Sequence, residues 1–445
     1  MDAPKILTPP WSGKSGEIIS KDITLLSRSY NRSHPIVIKE ARDGIVIDVN
    51  DNRFIDFSSG GGLLTLGGSH PRIIEAVKRQ LDATINFSLR NAYSSLAVEL
   101  GEELSKILPI GGDVRFLYVN SGSEAVEAAL RVFRLHTLRE HVIGFLGGFH
   151  GSTQGAASIS SHRSDVEKRT PKLNIHYIPY PYCYRCPIGH DSETCGEACI
   201  EYLTKWVLER AVHPSDVSCI VFEPIQIHGG VIVPPDNFWE RFIKSVREAG
   251  IPVVADETYS SPARTGRWTS IELWRTQVDA VLLGPPLSSG LPLGVLAARG
   301  DFMDLEPGQF DSTSGGCLVS LAAALETLRV IRDEGLVERS ERMGRNLLRR
   351  IKDACDGCEN VGEIRGKGLL IGVEIVEDRE TKNPDYVLAK KIADECFRVG
   401  LIVERMGNNL LLRPPLNMDE KFLEKGAEIL ETKIMEVSTW LSRAF

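Results

Sequence analysis

Two carboxylates stand where apolar runs stop: Glu223 near the end of SCIVFEPI, and Asp256 near the end of PVVADE with Glu257 beside it. If these runs are neighbouring strands of a parallel sheet, their ends share one edge, which is where such sheets bind ligands. An aspartate buried beneath that edge needs a cationic or N–H partner, and a protonated pyridine nitrogen would supply one. The plain alternative for Asp256 is a helix-capping carboxylate. A third run, VRFLYVN, leads into Asn120-Ser121-Gly122-Ser123-Glu124, which opens a helical pattern. Small residues there let backbone N–H groups approach a phosphate, and the helix start adds partial positive charge. Many strand-to-helix turns share that composition and bind nothing. A fourth run, HVIGFLG, is followed by Phe149-His150-Gly151, where an aromatic side chain can stack on a planar ring or simply pack.

Four cysteines form a separate group. Cys183, Cys186, Cys195 and Cys199 fall within PYCYRCPIGHDSETCGEACIEYL. Their CxxC and CxxxC spacings fit a tetrahedral zinc site of four thiolates, two local disulfides, or four reduced thiols. Cys355 and Cys358 follow a helical pattern and read as structural, while Cys219, Cys317 and Cys396 read as core fillers.

Helical patterns such as SEAVEAALRVFRLHTLRE and DNFWERFIKSVREAG separate the apolar runs, which also include DAVLLG. Continuous apolar strands split by helices imply a mainly parallel sheet covered on both faces. This α/β domain is expected over residues 60–330, with the cysteine-rich excursion at 180–200. One long helix, SLAAALETLRVIRDEGLVERSERMGRNLLRRIKDA, then leads into a smaller α+β domain over 331–445. The segment 1–59 carries a hairpin turn at Asn50-Asp51-Asn52 and is expected to join the smaller domain.

At 445 residues and 42% hydrophobic, the chain can bury a large core. Net charge is −8 with no basic run, which argues against nucleic acid or an anionic membrane as partner. No window approaches the roughly 18 apolar residues of a spanning helix, and the opening residues lack a signal-type stretch. A soluble, cytoplasmic protein is expected.

The order of motifs carries a resemblance. SGSEAVEAA, GFHG, EPIQ..GG, DE…RTG, LPLG, STSGG, RGKGLLIGVE and LRPPL together resemble the class III aminotransferases, enzymes of fold type I that use pyridoxal phosphate. The cysteine segment is similar to an archaeal branch containing 4-aminobutyrate-type aminotransferases and amino-acid racemases. The resemblance implies that Gly122 and Ser123 hold the cofactor phosphate, joined by Thr313 from the partner subunit of a dimer. It implies that Phe149 stacks on the ring with His150 beside it, and that Asp256 pairs with the ring N–H. Arg413 would take the carboxylate of an amino-acid-like ligand, a task suited to its fork geometry, with Glu223 engaging it otherwise. Outside such a series Arg413 would read as a surface charge.

The departures are equally specific. The family pattern DEVQTGFGRTG appears here as Asp256-Glu-Thr-Tyr-Ser-Ser-Pro-Ala-Arg-Thr-Gly266, with Tyr259 where a glutamine meets the ring hydroxyl. The pattern LGKGLGGGLPLGA appears as Leu283-Gly-Pro-Pro-Leu-Ser-Ser-Gly-Leu-Pro-Leu-Gly294, which puts Pro285 at the position of the cofactor lysine. There is no lysine between Lys244 and Lys352. His228 stands where an acidic residue is common. The lysine both bonds the cofactor and moves protons, and loss of a general base alone costs about 10²–10⁴-fold in rate. Lys367 is a remote substitute, since placing it for reaction is demanding. Three expectations follow: noncovalent cofactor binding without ordinary transamination, reassigned chemistry through His150, His228 or Tyr259, or a non-catalytic subunit paired with an active paralogue.

Overall fold

The computed structural model describes residues 2–162, 171, 173–191, 195 and 197–441, with side chains through Ser438. The chain forms two compact units, Met1–Pro71 with Glu338–Phe445, and Arg72–Val337.

The larger unit is built on a seven-stranded sheet. Its order is Val114–Val119, Gly294–Arg299, Ala280–Leu283, Val253–Asp256, Val217–Phe222, His141–Phe145, Ile175–Ile178. The last five of these run parallel; Gly294–Arg299 is antiparallel to both of its neighbours. The strands Val217–Phe222, Val253–Asp256 and Ala280–Leu283 are buried at every residue, which is why they read as unbroken apolar runs. The helix Gly122–Thr137 lays Val126, Leu130 and Phe133 against Val142, Cys219, Val254 and Leu282, all buried. Each such side chain contributes about 1.5–3 kcal/mol by leaving water.

The expected long helix is two helices, Leu318–Asp333 and Leu336–Ala354. Gly335 breaks it with φ +59°, and the Glu334 N–H closes back on the Val330 carbonyl. A glycine in the left-handed region after a helix end is a common stop. Strands Ile175–Ile178 and Gly294–Arg299 were not expected. The first is short and lies at the sheet edge; the second opens directly from the LPLG turn.

In the smaller unit, Ile45–Asp48 and Arg53–Asp56 form the hairpin around Asp51, which takes φ +64°. They continue a four-stranded sheet that runs from Ile38–Arg42 to Leu401–Ile402. A second four-stranded sheet joins Val361–Lys367, Leu370–Ile375, Asn409–Leu412 and Glu404–Met406. Among the described residues no helix is long and apolar enough to cross a membrane.

Candidate functional site

Parallel register brings the carboxylate ends of the central strands of the larger unit to one edge, with Asp256 opposite Leu282. Asp256 is 3% exposed. Its Oδ2 lies 2.6 Å from His150 Nδ1. Its Oδ1 accepts from the Thr258 hydroxyl at 2.6 Å and the Thr258 N–H at 3.0 Å. It caps no helix. His150 is as deeply buried, and its N–H donates to Ser160 Oγ at 2.9 Å. Burial pulls its pKa down, but the hydrogen bond and charge of Asp256, helped by Glu223, prevail and raise it. The imidazole Nε2 has no hydrogen-bond partner among the described residues.

Glu223 ends the next strand. Its Oε1 accepts the Phe149 N–H at 2.9 Å and its Oε2 accepts the Ile227 N–H at 3.1 Å. Burial pushes its carboxyl up to about 7 despite those donors. Phe149 sits among other rings: its centroid is 4.1 Å from His228, 4.7 Å from His162 and 6.4 Å from Tyr259. His162 was not among the expected site residues, and nothing in its local sequence marks it.

At the start of the helix Gly122–Thr137, Ser121 accepts the Glu124 N–H at 3.2 Å, while Glu124 reaches back to the Asn120 N–H at 3.0 Å. The N–H groups of Gly122 and Ser123 have no intrahelical partners, as at any helix start. Ser123 Oγ accepts the Ser152 N–H at 3.2 Å. Glycine is required at 151, where φ is +127° and a Cβ would lie 2.2 Å from Ser123 Oγ. Thr313 is exposed on a turn of the same unit.

The strand Ala280–Leu283 runs into extended Gly284 and then the single turn Pro285–Ser288. Ser288 Oγ ties that turn by donating to the carbonyls of Pro285 at 3.0 Å and Leu291 at 2.6 Å. No titratable side chain follows this strand before Arg299.

Arg413 belongs to the smaller unit. It follows the strand Asn409–Leu412, is 2% exposed, and pairs with Glu404. Register sets Glu404 opposite Leu411, so Arg413, two residues on, shares its face. Glu404 was not an expected residue; it faces Arg413 only once the register of the hairpin is set.

All nine cysteines are free thiols, and among the described residues no group of three or more His, Cys, Asp or Glu is arranged to hold a metal ion. Of the states expected at Cys183, Cys186, Cys195 and Cys199, the two local disulfides are not formed. Cys183 is exposed whereas Cys199 is buried. Burial, with the charges of Cys186, Cys195 and Cys183 behind it, pushes the Cys199 thiol up to about 12. Cys317 is only half-buried, not a core residue.

A large mixed sheet whose central strands end in a buried Asp–His pair beside a helix start is the arrangement of the fold-type I pyridoxal phosphate transferases. An omega transaminase mutant from Pseudomonas jessenii superposes with a TM-score of 0.87 at 27% identity, covering 96% of this chain and 99% of that one. The chain belongs to the class III aminotransferases, whose family profile matches residues 26–434. It is 34% identical to the leucine/methionine racemase of Thermococcus litoralis, over 91% of both chains. It is 33% identical to a probable 4-aminobutyrate aminotransferase of Bacillus subtilis, over 96% of this chain and 97% of the relative.

Proposed function

We propose that this chain binds pyridoxal phosphate or its amine form without a covalent link and does not carry out ordinary transamination. One observation carries the reading. The strand beside Asp256 ends in Gly284-Pro285-Pro286, and residues 245–351 contain no lysine.

The remaining residues fit the noncovalent contacts. A carboxylate oxygen has two lone pairs, and among the described residues Asp256 Oδ2 has His150 as its one hydrogen-bond partner. That leaves room for a ring N–H. Gly122 and Gly151 keep side chains away from the helix start, where a phosphate meets N–H groups and a favourable dipole. Phe149 offers a ring for stacking. When bound, the cofactor supplies an electron-withdrawing pyridinium; Asp256 holds the proton on its nitrogen, and His150 holds Asp256. Proline has neither an amine nor an N–H to put in the lysine's place.

A second reading is lysine-independent acid–base chemistry on an amino-acid-like ligand. It is favoured by the ring cluster, in which His228 lies 5.4 Å from Tyr259 and 4.1 Å from Phe149. The exposure of Thr313 suits a residue that reaches a neighbouring subunit, so the minimum unit in this reading is a dimer. An active paralogue would be an alternative partner to a second copy. Titration calorimetry with pyridoxamine phosphate tests the proposal: saturable binding supports it, and no binding refutes it. Incubation with an amino acid and a 2-oxo acid should give no exchange of amino groups.

A further inference from the structure

Thr258 stands at the meeting point of three parts of the proposed site. Its hydroxyl and N–H both donate to Asp256 Oδ1, at 2.6 and 3.0 Å. Its methyl and Cβ face the Cα of Gly122, where an added Cβ would lie 3.1 Å from Thr258 Cγ2 and 3.2 Å from its Cβ. Its carbonyl abuts Gly284, whose added Cβ would lie 2.5 Å from that oxygen. One buried residue, 6% exposed, thus touches the carboxylate strand end, the helix start and the proline turn.

The hydrogen-bond count gives this contact a chemical consequence. Each carboxylate oxygen has two lone pairs, and Oδ1 already accepts two hydrogen bonds. Oδ2 accepts one, from His150. With Oδ1 filled, the remaining capacity lies on Oδ2. We infer that Thr258 is a positioning residue that locks the Asp256 carboxylate so that Oδ2 alone receives the cofactor ring N–H, at a fixed distance from the helix start at Gly122. The inference rests on the noncovalent binding proposed above and deepens it.

The need for such a lock follows from Pro285. A covalent link would hold the ring whatever the carboxylate did; without one, affinity depends on contacts already in place before binding. The pattern DEVQ of the resembled family has valine at this position, which offers no hydroxyl. Here the side chain keeps a methyl for Gly122 and adds a donor for Asp256.

The test uses the full chain and pyridoxamine phosphate, with three variants. Thr258→Val removes the hydroxyl and keeps the methyl, Thr258→Ser keeps the hydroxyl, and Thr258→Ala is a second hydroxyl-free variant should valine fail to fold. Calorimetry should show affinity about tenfold weaker without the hydroxyl, the scale of one hydrogen bond to a charged group. Serine should restore it to within about threefold of wild type. The absorbance of bound pyridoxamine phosphate followed against pH should show the ring nitrogen losing its proton at lower pH in the hydroxyl-free variants. Packing alone would not move that midpoint. Unchanged affinity and midpoint in Thr258→Val or Thr258→Ala overturn the inference and leave cofactor binding standing. A loss in Thr258→Ser equal to that in Thr258→Val also overturns it, because keeping the hydroxyl would then not preserve affinity. Absence of binding by the wild type removes the functional proposal and this inference together.

Discussion

The strand Val253–Asp256 and its neighbour Ala280–Leu283 are equally buried, parallel and hydrogen-bonded to each other, yet they end in opposite ways. The first ends in a carboxylate held by His150 and Thr258. The second ends in two prolines and a hydroxyl turned back onto its own loop. One strand end thus carries no ionisable side chain while the adjacent end carries a buried, hydrogen-bonded carboxyl group. A buried polar pair is costly unless satisfied, so its presence is more informative than the apolar packing around it.

The widest gap between the two strand ends should appear in stability. Asp256→Ala would strip His150 of its partner at a site where both side chains are about 1% exposed. Breaking such a pair from one side costs about 3–5 kcal/mol. Chemical denaturation of Asp256→Ala against wild type measures this, and a change below about 1 kcal/mol would break the comparison.

Titration of Glu223 sharpens the same contrast. Its folded pKa, about 7, lies above its ordinary value of 4.5. The folded state therefore binds the proton more tightly, so this stabilisation is full below pH 4.5 and is lost as pH rises to about 7. The loss is about 3 kcal/mol over that window. The stability of wild type minus that of Glu223→Gln should fall across it; a flat difference would mean that the carboxyl titrates normally.

At the proline end the expected effects are smaller. Gly284→Ala places a Cβ 2.5 Å from the Thr258 carbonyl oxygen, backbone that cannot swing aside. Such overpacking costs about 1–3 kcal/mol, read as a lowered midpoint in the same denaturation experiment. Ser288→Ala removes one donor from the turn and should cost about 1 kcal/mol.

Much of this architecture was legible because it depends on local pattern. The five expected strands of the larger sheet are all present, and three of them are buried at every residue, as strands covered on both faces are. The Asp256, Glu223 and Gly122 positions followed from the rule that such strands bind ligands where they end. What the sequence withheld depends on three-dimensional pairing. Thr258 was passed over because its hydroxyl matters only once Asp256 is folded beneath it. The commitment of Arg413 to Glu404 required the register of a hairpin whose strands are only three and four residues long. The cysteine spacings left three states open, and spacing along the chain does not choose among them. The break at Gly335 was hidden inside an otherwise continuous helical pattern.

The central claim is that the cofactor is held without a covalent bond to the chain. Its most direct test is to add pyridoxal phosphate to the purified wild type, record the absorption spectrum, treat with borohydride and map peptides by mass spectrometry, with Pro285→Lys as the control. Wild-type protein should bind the cofactor in its free-aldehyde form with no peptide gaining mass, whereas Pro285→Lys should be labelled at residue 285. Borohydride-dependent labelling of one wild-type lysine at one cofactor per chain, with the spectrum of an imine, would contradict it.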